Sequence, residues 1–248
     1  MAIHSPEITG LPASSGMRER LIVALDVSSA AEAQKLVARV GEAAGIYKVG
    51  LQLFTAEGPS ILRDLVSSGR RVFLDLKLHD IPTTVALAVK SAAELRVDML
   101  TIHASGGKAM LHAATEAAAG RLNLLAVTVL TSLTDDDMQE IGVAGRVSDQ
   151  VLRMAALAQG AGCQGIVTSP RESLMVRKAL GEGFAIVTPG IRPAGVETND
   201  QQRTATPSAA ISNGASHIVV GRPITHAQDP AKAAAAIIAE MEQARISR

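Results

Sequence analysis

Short runs of apolar, often β-branched residues recur along the chain, and longer helix-favouring segments separate them. Eight such runs can be distinguished: LIVALD (21–26), IYKVG (46–50), RVFLDLK (71–77), DMLTIH (98–103), NLLAVTVL (123–130), CQGIVTS (163–169), FAIVTPG (184–190) and HIVVGR (217–222). Nearly continuous apolar runs of this length are typical of parallel strands, which are buried on both faces. The pattern therefore predicts a parallel sheet.

The segments between the strands are rich in alanine and carry apolar residues at three- and four-residue spacing. Examples are SSAAEAQKLVARVGEA (28–43), TTVALAVKSAAEL (83–95) and VSDQVLRMAALAQG (147–160). This spacing predicts amphipathic helices that cover the sheet. The alternation of strand and helix over 248 residues matches an α/β fold of the (β/α)8, or TIM, barrel type.

A doubly wound open sheet is the structural alternative. Its nucleotide-binding form often has a G-x-G-x-x-G turn after the first strand, and LIVALD runs into VSSAAEA instead. We therefore expect one barrel domain over residues 18–248. Residues 1–17, which contain proline, glycine and serine, are expected to form a poorly ordered N-terminal arm.

Composition narrows the class of protein. Twenty-four basic residues balance 24 acidic ones, so no global field attracts nucleic acid or an anionic membrane. No apolar run approaches the roughly 20 residues of a membrane span, and the N-terminal segment lacks the features of a signal peptide. The only cysteine, Cys163, cannot form an internal disulfide, which suits a reducing compartment. We expect a soluble, cytoplasmic protein without nucleic-acid or membrane partners.

The predicted C-terminal ends of the strands are unusually polar. In a barrel these ends form the face on which functional residues gather. The polar residues at or just after them are Asp26, Lys48, Asp75, Lys77, Thr131, Ser132 and Arg222.

Asp75 and Lys77 are two positions apart, so on an extended strand both side chains project to one face. A solvated ion pair is one interpretation and a functional pair is the other. Lys48 and Asp26 on neighbouring strand ends favour the functional pair. Lys48, Asp75, Lys77 and an acid such as Asp80 would form an array of alternating charges, in which nearby opposite charge offsets the cost of desolvation. In such an array Lys77 is predicted to be an acid, since Schiff-base lysines need apolar or cationic surroundings.

Two arginines follow the last two predicted strands. Arg192 lies in TPGIRP (188–193), and Arg222 lies in GASHIVVGRPI (214–224). Barrel enzymes frequently bind phosphate at these loops, although solvated arginines are the alternative. The six histidines show no H-x-x-x-H spacing, so no metal site is predicted.

Several of these motifs occur together, in order, in one known family. LIVALD, YKVG, DLKLHDIPTT (75–84), VTVLTSL (127–133), TPGIRP, NDQQR (199–203) and VVGRPI (219–224) all resemble the orotidine 5′-phosphate decarboxylase family. The resemblance covers roughly residues 21–241, and D-x-K-x-x-D-I-P-x-T is its most discriminating motif.

The resemblance implies a cofactor-free carbon–carbon lyase that converts orotidine 5′-phosphate to uridine 5′-phosphate and CO2. This is the last step of de novo pyrimidine (UMP) biosynthesis. Lys77 would protonate C6 of the pyrimidine, and Lys48, Asp75 and Asp80 would complete the catalytic charge network. The resemblance also implies a homodimer in which Asp80 and Thr84 are donated across the interface.

The resemblance also implies a set of substrate-binding residues. Asp26 and Thr84 would contact the ribose, Thr131 and Ser132 the pyrimidine. Arg192, Gln201, Gly221 and Arg222 would bind the phosphate or bridge it to the base, with Gln201 favoured over its neighbour Gln202 by the family's order. The full set is Asp26, Lys48, Asp75, Lys77, Asp80, Ile81, Pro82, Thr84, Thr131, Ser132, Pro189, Arg192, Gln201, Gly221 and Arg222.

Two alternative functions remain open. Sugar-phosphate decarboxylases and hexulose-phosphate synthases share the barrel and D-x-K-x-x-D but use Mg²⁺, whereas IPTT, LTSL and the late glutamine follow the nucleotide enzyme. A non-catalytic phosphate-binding barrel would not need Lys77 flanked by two acids.

Overall fold

The computed structural model describes residues 16–193 and 204–246, and within them eight parallel strands close into a barrel. The strands are β1 (Leu21–Ala24), β2 (Ile46–Gly50), β3 (Arg71–Leu78), β4 (Met99–His103), β5 (Asn123–Val127), β6 (Gly165–Val167), β7 (Ala185–Thr188) and β8 (His217–Val220). Each strand pairs with its neighbours in the sequence, and β1 pairs with β8 to close the ring. The predicted (β/α)8 barrel is confirmed.

Helices connect the strands around the outside of the barrel. They are α1 (Ala30–Val40), α2 (Leu51–Glu57), α3 (Ser60–Ser67), α4 (Pro82–Glu94), α5 (Gly107–Ala118), α6 (Asp135–Glu140), α7 (Val147–Gly160), α8 (Ser173–Leu180), α9 (Pro207–Ser212), α10 (Arg222–Thr225) and α11 (Pro230–Ile246). Their apolar faces bury one large cluster against the outward-facing strand residues, such as Leu100 and Ile102 of β4. The remaining strand residues face the barrel interior.

The predicted strands match the observed ones but extend too far at several C-terminal ends. The predicted run 123–130, for example, stops being a strand at Val127. The chain leaves the barrel at these points, and the residues beyond them form the loops of the barrel mouth.

Met17, the last residue of the predicted N-terminal arm, packs against the barrel. Met17 was assigned to the N-terminal arm, but it starts a 3-10 helix over Met17–Arg20 and only 5% of its surface is exposed. It joins the apolar cluster outside the barrel, which explains why it is fixed. Residues 1–15 of the predicted arm lie outside the described part of the chain.

A second apolar cluster fills the barrel interior and separates its two ends. It consists of Ile22, Ala24, Ile46, Phe73, Met99, Leu125, Val187 and Val219. Because side chains alternate along a strand, the next interior positions are two residues before or after this layer. These positions face the two ends of the barrel. Polar residues occupy both ends.

The N-terminal ends of the strands carry a polar group of residues that we call the lower cluster: Arg20, Arg71, Asp98 and His217. Arg20 donates to the carbonyl oxygens of Ser216 and Ala215 at 2.7 and 2.6 Å. Arg71 donates to Asp98 at 2.9 Å, and Asp98 also accepts the Val72 N–H. The lower cluster is thus largely bound to backbone groups and to itself.

Cys163 is buried in the outer apolar cluster, and burial raises the pKa of its thiol to about 12. Among the described residues, no helix combines the length and the apolar character that crossing a bilayer requires.

Candidate active site

A cavity of about 500 Å³ opens at the C-terminal ends of the strands, above the interior apolar cluster. Residues from the first three strands line it together with residues from the loops after β5, β7 and β8. Most of the predicted site residues are among them: Asp26, Lys48, Asp75, Lys77, Thr131, Pro189, Arg192, Gly221 and Arg222.

A chain of alternating charges runs across the wall of the cavity. The Lys48 ammonium lies 2.8 Å from Asp26 Oδ1 and 3.9 Å from Asp75 Oδ2. Asp75 Oδ1 in turn accepts a hydrogen bond from the Lys77 ammonium at 2.9 Å. Only 11% of the Lys48 side chain and 13% of the Asp75 side chain are exposed, so these charges compensate each other where water is scarce.

The register of the strands brings these side chains together. Ala24 lies level with Lys48 in the pairing of β1 with β2, and Gly50 lies level with Asp75 in the pairing of β2 with β3. The long Lys48 side chain therefore rises from one layer below Asp75 to reach it. Cross-strand register is not visible in a single sequence.

Gly50 is a site residue that the motif analysis missed. A Cβ atom at this position would lie 2.9 Å from Lys48 Nζ and 3.5 Å from Asp26 Oδ1. Any side chain at this position would therefore force the Lys48 ammonium to move. The glycine at the end of YKVG was the available signal, because a glycine inside a strand often marks a close approach.

The backbone of β3 departs from the extended path that the D-x-K spacing suggested. Lys77 has a φ of +52°, in the left-handed region, and the pairing with β4 shifts register between Leu74 and Leu78. Asp75 and Lys77 do point together, but a bulge brings them there rather than a regular strand. Bulges of this kind re-aim side chains next to functional sites.

Thr101 of β4, which the sequence did not single out, supports this bulge from below. Its hydroxyl accepts the Lys77 N–H at 2.8 Å and donates to Asp75 Oδ1 at 2.9 Å. The residue is fully buried. It lies two positions after Met99, which faces the barrel interior, so it belongs to the interior column of β4.

The second half of DLKLHDIPTT turns away from this cavity. Asp80 is exposed and its Oδ1 accepts the N–H of Ile81, which is itself 67% exposed. Pro82 begins α4 and Thr84 is exposed on its first turn. None of these residues lines the cavity of its own chain, so Asp26, not Asp80, supplies the second acid of the charge chain.

The loop after β5 places one of its two predicted residues at the cavity. Thr131 lines it, together with Leu130, whereas Ser132 is exposed in the adjoining turn and is not part of the lining. The loop leads to α6, whose start is fixed by reciprocal hydrogen bonds between Thr134 and Asp137. The proposed pyrimidine contact of Ser132 stays a prediction.

The loops after β7 and β8 line the opposite part of the cavity wall. Arg192 is 8% exposed, and its Nη1 donates to the Ile191 carbonyl oxygen at 2.9 Å. Arg222 is exposed at the start of α10. Thr225 and His226, at the end of the same short helix, also line the cavity and were not predicted. Gln201 lies outside the described residues.

Two histidines extend the polar rim beside Lys77. The rings of His79 and His103 lie 5.3 Å apart, and burial lowers the pKa of His103, with further contributions from His79 and Lys77. A neutral imidazole is therefore favoured at the mouth of β4. In the described ranges 16–193 and 204–246, no group of three or more His, Cys, Asp or Glu side chains could hold a metal ion.

Comparison with known proteins places these residues in a family. Residues 19–237 match the sequence profile described as the "Orotidine 5'-phosphate decarboxylase / HUMPS family". The chain belongs to this family. The resemblance seen in the sequence motifs is thereby confirmed over most of the chain.

Curated relatives in this family are similar over nearly their whole length. The orotidine 5′-phosphate decarboxylase of Moorella thermoacetica is 51% identical, with 92% of this chain and 94% of that protein covered. The enzyme of the same name from Halorhodospira halophila is 52% identical over 91% of this chain and 97% of that protein. A solved structure of orotidine 5′-phosphate decarboxylase from Lactobacillus acidophilus superposes with a TM-score of 0.81 at 38% identity and covers 90% of this chain and 99% of that one.

Proposed function

We propose that this protein decarboxylates orotidine 5′-phosphate to uridine 5′-phosphate and CO2, the last step of UMP biosynthesis. The observation that carries the proposal is the chain of charges from Asp26 through Lys48 and Asp75 to Lys77 along the cavity wall. It places a lysine ammonium, held by a carboxylate, at the surface of a cavity large enough for a nucleotide. The named relatives support the same activity.

Lys77 supplies the positive charge and the proton. When the bond between C6 and the carboxylate carbon breaks, the electron pair stays on C6 and CO2 leaves. An ammonium beside C6 stabilises that developing charge and then transfers a proton to form the new C–H bond. The resulting amine regains a proton from water, so no electrons enter or leave the system.

Asp75 and Lys48 hold this proton donor in place. Asp75 Oδ1 accepts from the Lys77 ammonium, and Lys48 lies on the other oxygen of the same carboxylate. Lys48 compensates the charge of the Asp75 carboxylate, which the proposal places next to the reacting carboxylate of the substrate. The two residues are therefore assigned to the catalytic network.

The remaining lining residues suit the two ends of a nucleotide. Asp26, which is exposed beside Lys48, is assigned to the ribose, and Thr131 is assigned to the pyrimidine. Ser132, which is next to Thr131 but outside the lining, is also assigned to the pyrimidine. Arg192, Gly221 and Arg222 lie at the loops after β7 and β8, where barrel enzymes frequently hold phosphate. Gln201 is assigned to the same end, and Pro189 to the wall beside it. A guanidinium fork is well suited to a phosphate because it can donate two parallel hydrogen bonds.

A homodimer completes the site in this proposal. Asp80 and Thr84 lie outside the cavity of their own chain and are exposed, so they are available to a partner. Ile81 and Leu87 lie next to them with 67% and 62% of their surfaces exposed, and such apolar residues favour burial in an interface. In a twofold dimer each chain would donate Asp80, Ile81, Pro82 and Thr84 to the other's cavity.

The competing function is that of the sugar-phosphate enzymes. The name of the family includes HUMPS, which refers to the hexulose-phosphate synthase branch. Those enzymes need Mg²⁺, whereas the proposed mechanism takes its positive charge from Lys77. The curated relatives at about half identity favour the nucleotide enzyme. Nucleotide synthesis from soluble precursors also agrees with the cytoplasmic location expected from the sequence.

The proposal is tested by incubating the purified protein with orotidine 5′-phosphate in the presence of excess EDTA and following UMP and CO2 formation. We expect full activity, because no metal takes part in the proposed step. A protein that is inactive on this substrate would contradict the function. Activity that is lost in EDTA and restored only by Mg²⁺ would favour the sugar-phosphate type of site.

A further inference from the structure

The backbone at Lys77 has an unusual conformation that something must hold in place. A non-glycine residue with a φ of +52° is uncommon, because the Cβ atom crowds the backbone in the left-handed region. Leu74 is level with Leu100 of β4, and Leu78 is level with Ile102. Four residue steps on β3 therefore span two on β4, and the residues between them cannot all join the regular ladder.

The N–H of Lys77 finds its partner in a side chain instead of a strand. It donates to Thr101 Oγ1 at 2.8 Å, and that hydroxyl lies 2.9 Å from Asp75 Oδ1. An amide N–H can only donate and an ionised carboxylate can only accept. The direction of both bonds is therefore fixed: Thr101 accepts from the Lys77 backbone and gives its own proton to Asp75.

Thr101 thus controls two features of the catalytic pair at once. Asp75 Oδ1 receives the Thr101 hydroxyl and the Lys77 ammonium, which leaves Oδ2 facing Lys48 at 3.9 Å. Rotation of the carboxylate would break one of these contacts. The same hydroxyl anchors the backbone from which the Lys77 side chain starts.

We propose that Thr101 is a positioning residue that fixes the Lys77 ammonium and the Asp75 carboxylate relative to the substrate. The inference rests on the proposed role of Lys77 and adds a residue that does not itself contact the cavity. Thr101 is fully buried and is not part of the cavity lining. Its influence on the reaction must therefore pass through the two residues that it holds.

Packing alone does not account for a hydroxyl at this position. The residue below it in the same column, Met99, is apolar and belongs to the interior apolar cluster. A valine has nearly the shape of a threonine and would fill the same space without a polar atom. The hydroxyl therefore matters for what it bonds rather than for the volume that it occupies.

The test compares Thr101→Val with Thr101→Ser and with Thr188→Val as a matched control. Thr188 on β7 is also fully buried, and its hydroxyl donates to the His217 carbonyl oxygen at 3.3 Å rather than to Asp75 or Lys77. We expect Thr101→Val to lower kcat about 10- to 100-fold, the scale of a small misplacement of reacting groups. The dissociation constant of UMP should change little, and Thr101→Ser should restore most of kcat.

Thr188→Val should leave kcat near the wild-type value even if both valine variants lose similar thermal stability. Equal kcat values for the two valine variants would overturn the proposal, as would a Thr101→Ser variant no more active than Thr101→Val. If Thr101→Val does not fold, Thr101→Cys replaces it, because a thiol is of similar size but is only a weak donor and acceptor. The kcat of Thr101→Cys should then be lower than that of Thr101→Ser. A wild-type kcat in Thr101→Cys would contradict the proposal. A failure of the proposed function itself is distinguishable, because the wild-type protein would then be inactive or Lys77→Ala would be fully active.

Discussion

The two ends of the barrel interior both carry charged side chains, but they use them differently. At the lower end, the lower cluster binds its charges to backbone groups and to each other, as Arg20 does with two carbonyl oxygens and Arg71 with Asp98. At the upper end, Asp26, Lys48, Asp75, Lys77 and Thr101 form what we call the upper cluster. There the Lys77 side chain is 29% exposed and lines an open cavity.

The comparison shows that charge at a strand end does not by itself mark an active site. In the lower cluster the guanidinium groups of Arg20 and Arg71 donate to oxygen atoms of the protein, and the apolar layer around Phe73 and Met99 closes the cluster off from the cavity. In the upper cluster an ammonium is oriented by one carboxylate while it remains accessible to a ligand. The lower cluster should therefore act on stability, and the upper cluster on catalysis.

The largest expected effect is that of Lys77→Ala. Removing the proton donor should lower kcat by at least about 10²- to 10⁴-fold, the usual loss for a general acid, while UMP binding changes far less. Steady-state kinetics and equilibrium binding of UMP check this, with circular dichroism as the control for folding. A correctly folded variant with near-normal kcat would refute the assignment.

Arg222→Ala separates phosphate binding from chemistry. Hydrogen bonds to charged groups contribute about 1.5–3 kcal/mol, so kcat/KM for orotidine 5′-phosphate should fall roughly 10- to 100-fold. Turnover of orotidine, which has no phosphate, should hardly change, because only the phosphorylated substrate uses the guanidinium. Equal losses on both substrates would instead indicate a structural role for Arg222.

Arg71→Met tests the lower cluster. It removes the ion pairs with Asp98 and Glu19 at 2.9 and 3.3 Å. The free energy of unfolding should fall by about 1–3 kcal/mol, the cost of leaving a mostly buried carboxylate without one partner. The kcat should stay near the wild-type value.

Lys48→Met is the matched control in the upper cluster, and its kcat should fall strongly. A strong loss of kcat in Arg71→Met together with a near-normal kcat in Lys48→Met would contradict the division between the two ends.

His217 gives the lower cluster a pH dependence. Burial lowers the pKa of His217 to about 3, with smaller contributions from Arg20 and Arg71. The unfolded chain therefore binds a proton near pH 6.5 that the folded protein does not bind until about pH 3, so stability falls as the pH falls through this range.

Between pH 7 and 5 the wild-type protein should lose on the order of 1–2 kcal/mol more unfolding free energy than His217→Gln, which cannot titrate. Urea unfolding at both pH values, at one protein concentration, measures the difference. Identical pH dependences in the two proteins would show that His217 is not buried in its neutral form.

Much of the fold could be predicted because its signals are local. The apolar runs marked all eight strands, and their polar ends marked the face that carries the cavity. The upper cluster was predictable in its charged members, since D-x-K and the lysine of YKVG lie in recognisable motifs. Arg192 and Arg222 were located by the loops that follow β7 and β8.

The features that escaped prediction depend on how strands lie beside each other. Thr101 and Gly50 matter only because the pairing of β2, β3 and β4 sets them against Asp75 and Lys48. The bulge at Lys77 could not be anticipated from a run that looks like a regular strand. Asp80 was expected in the array around Lys77 from its closeness in sequence, yet the turn after β3 carries it out of that cavity.

This placement of Asp80 makes subunit complementation the most direct test of a catalytic upper cluster completed by a second chain. Inactive Lys77→Ala and Asp80→Ala proteins are mixed and allowed to exchange subunits. In a mixed dimer one site carries both substitutions, and the other combines an intact Lys77 with the partner's intact Asp80. Random reassortment makes about half of the dimers mixed, with one good site of two, so about a quarter of wild-type activity should return. If exchange is demonstrated by mass spectrometry and no activity returns, the shared site is contradicted.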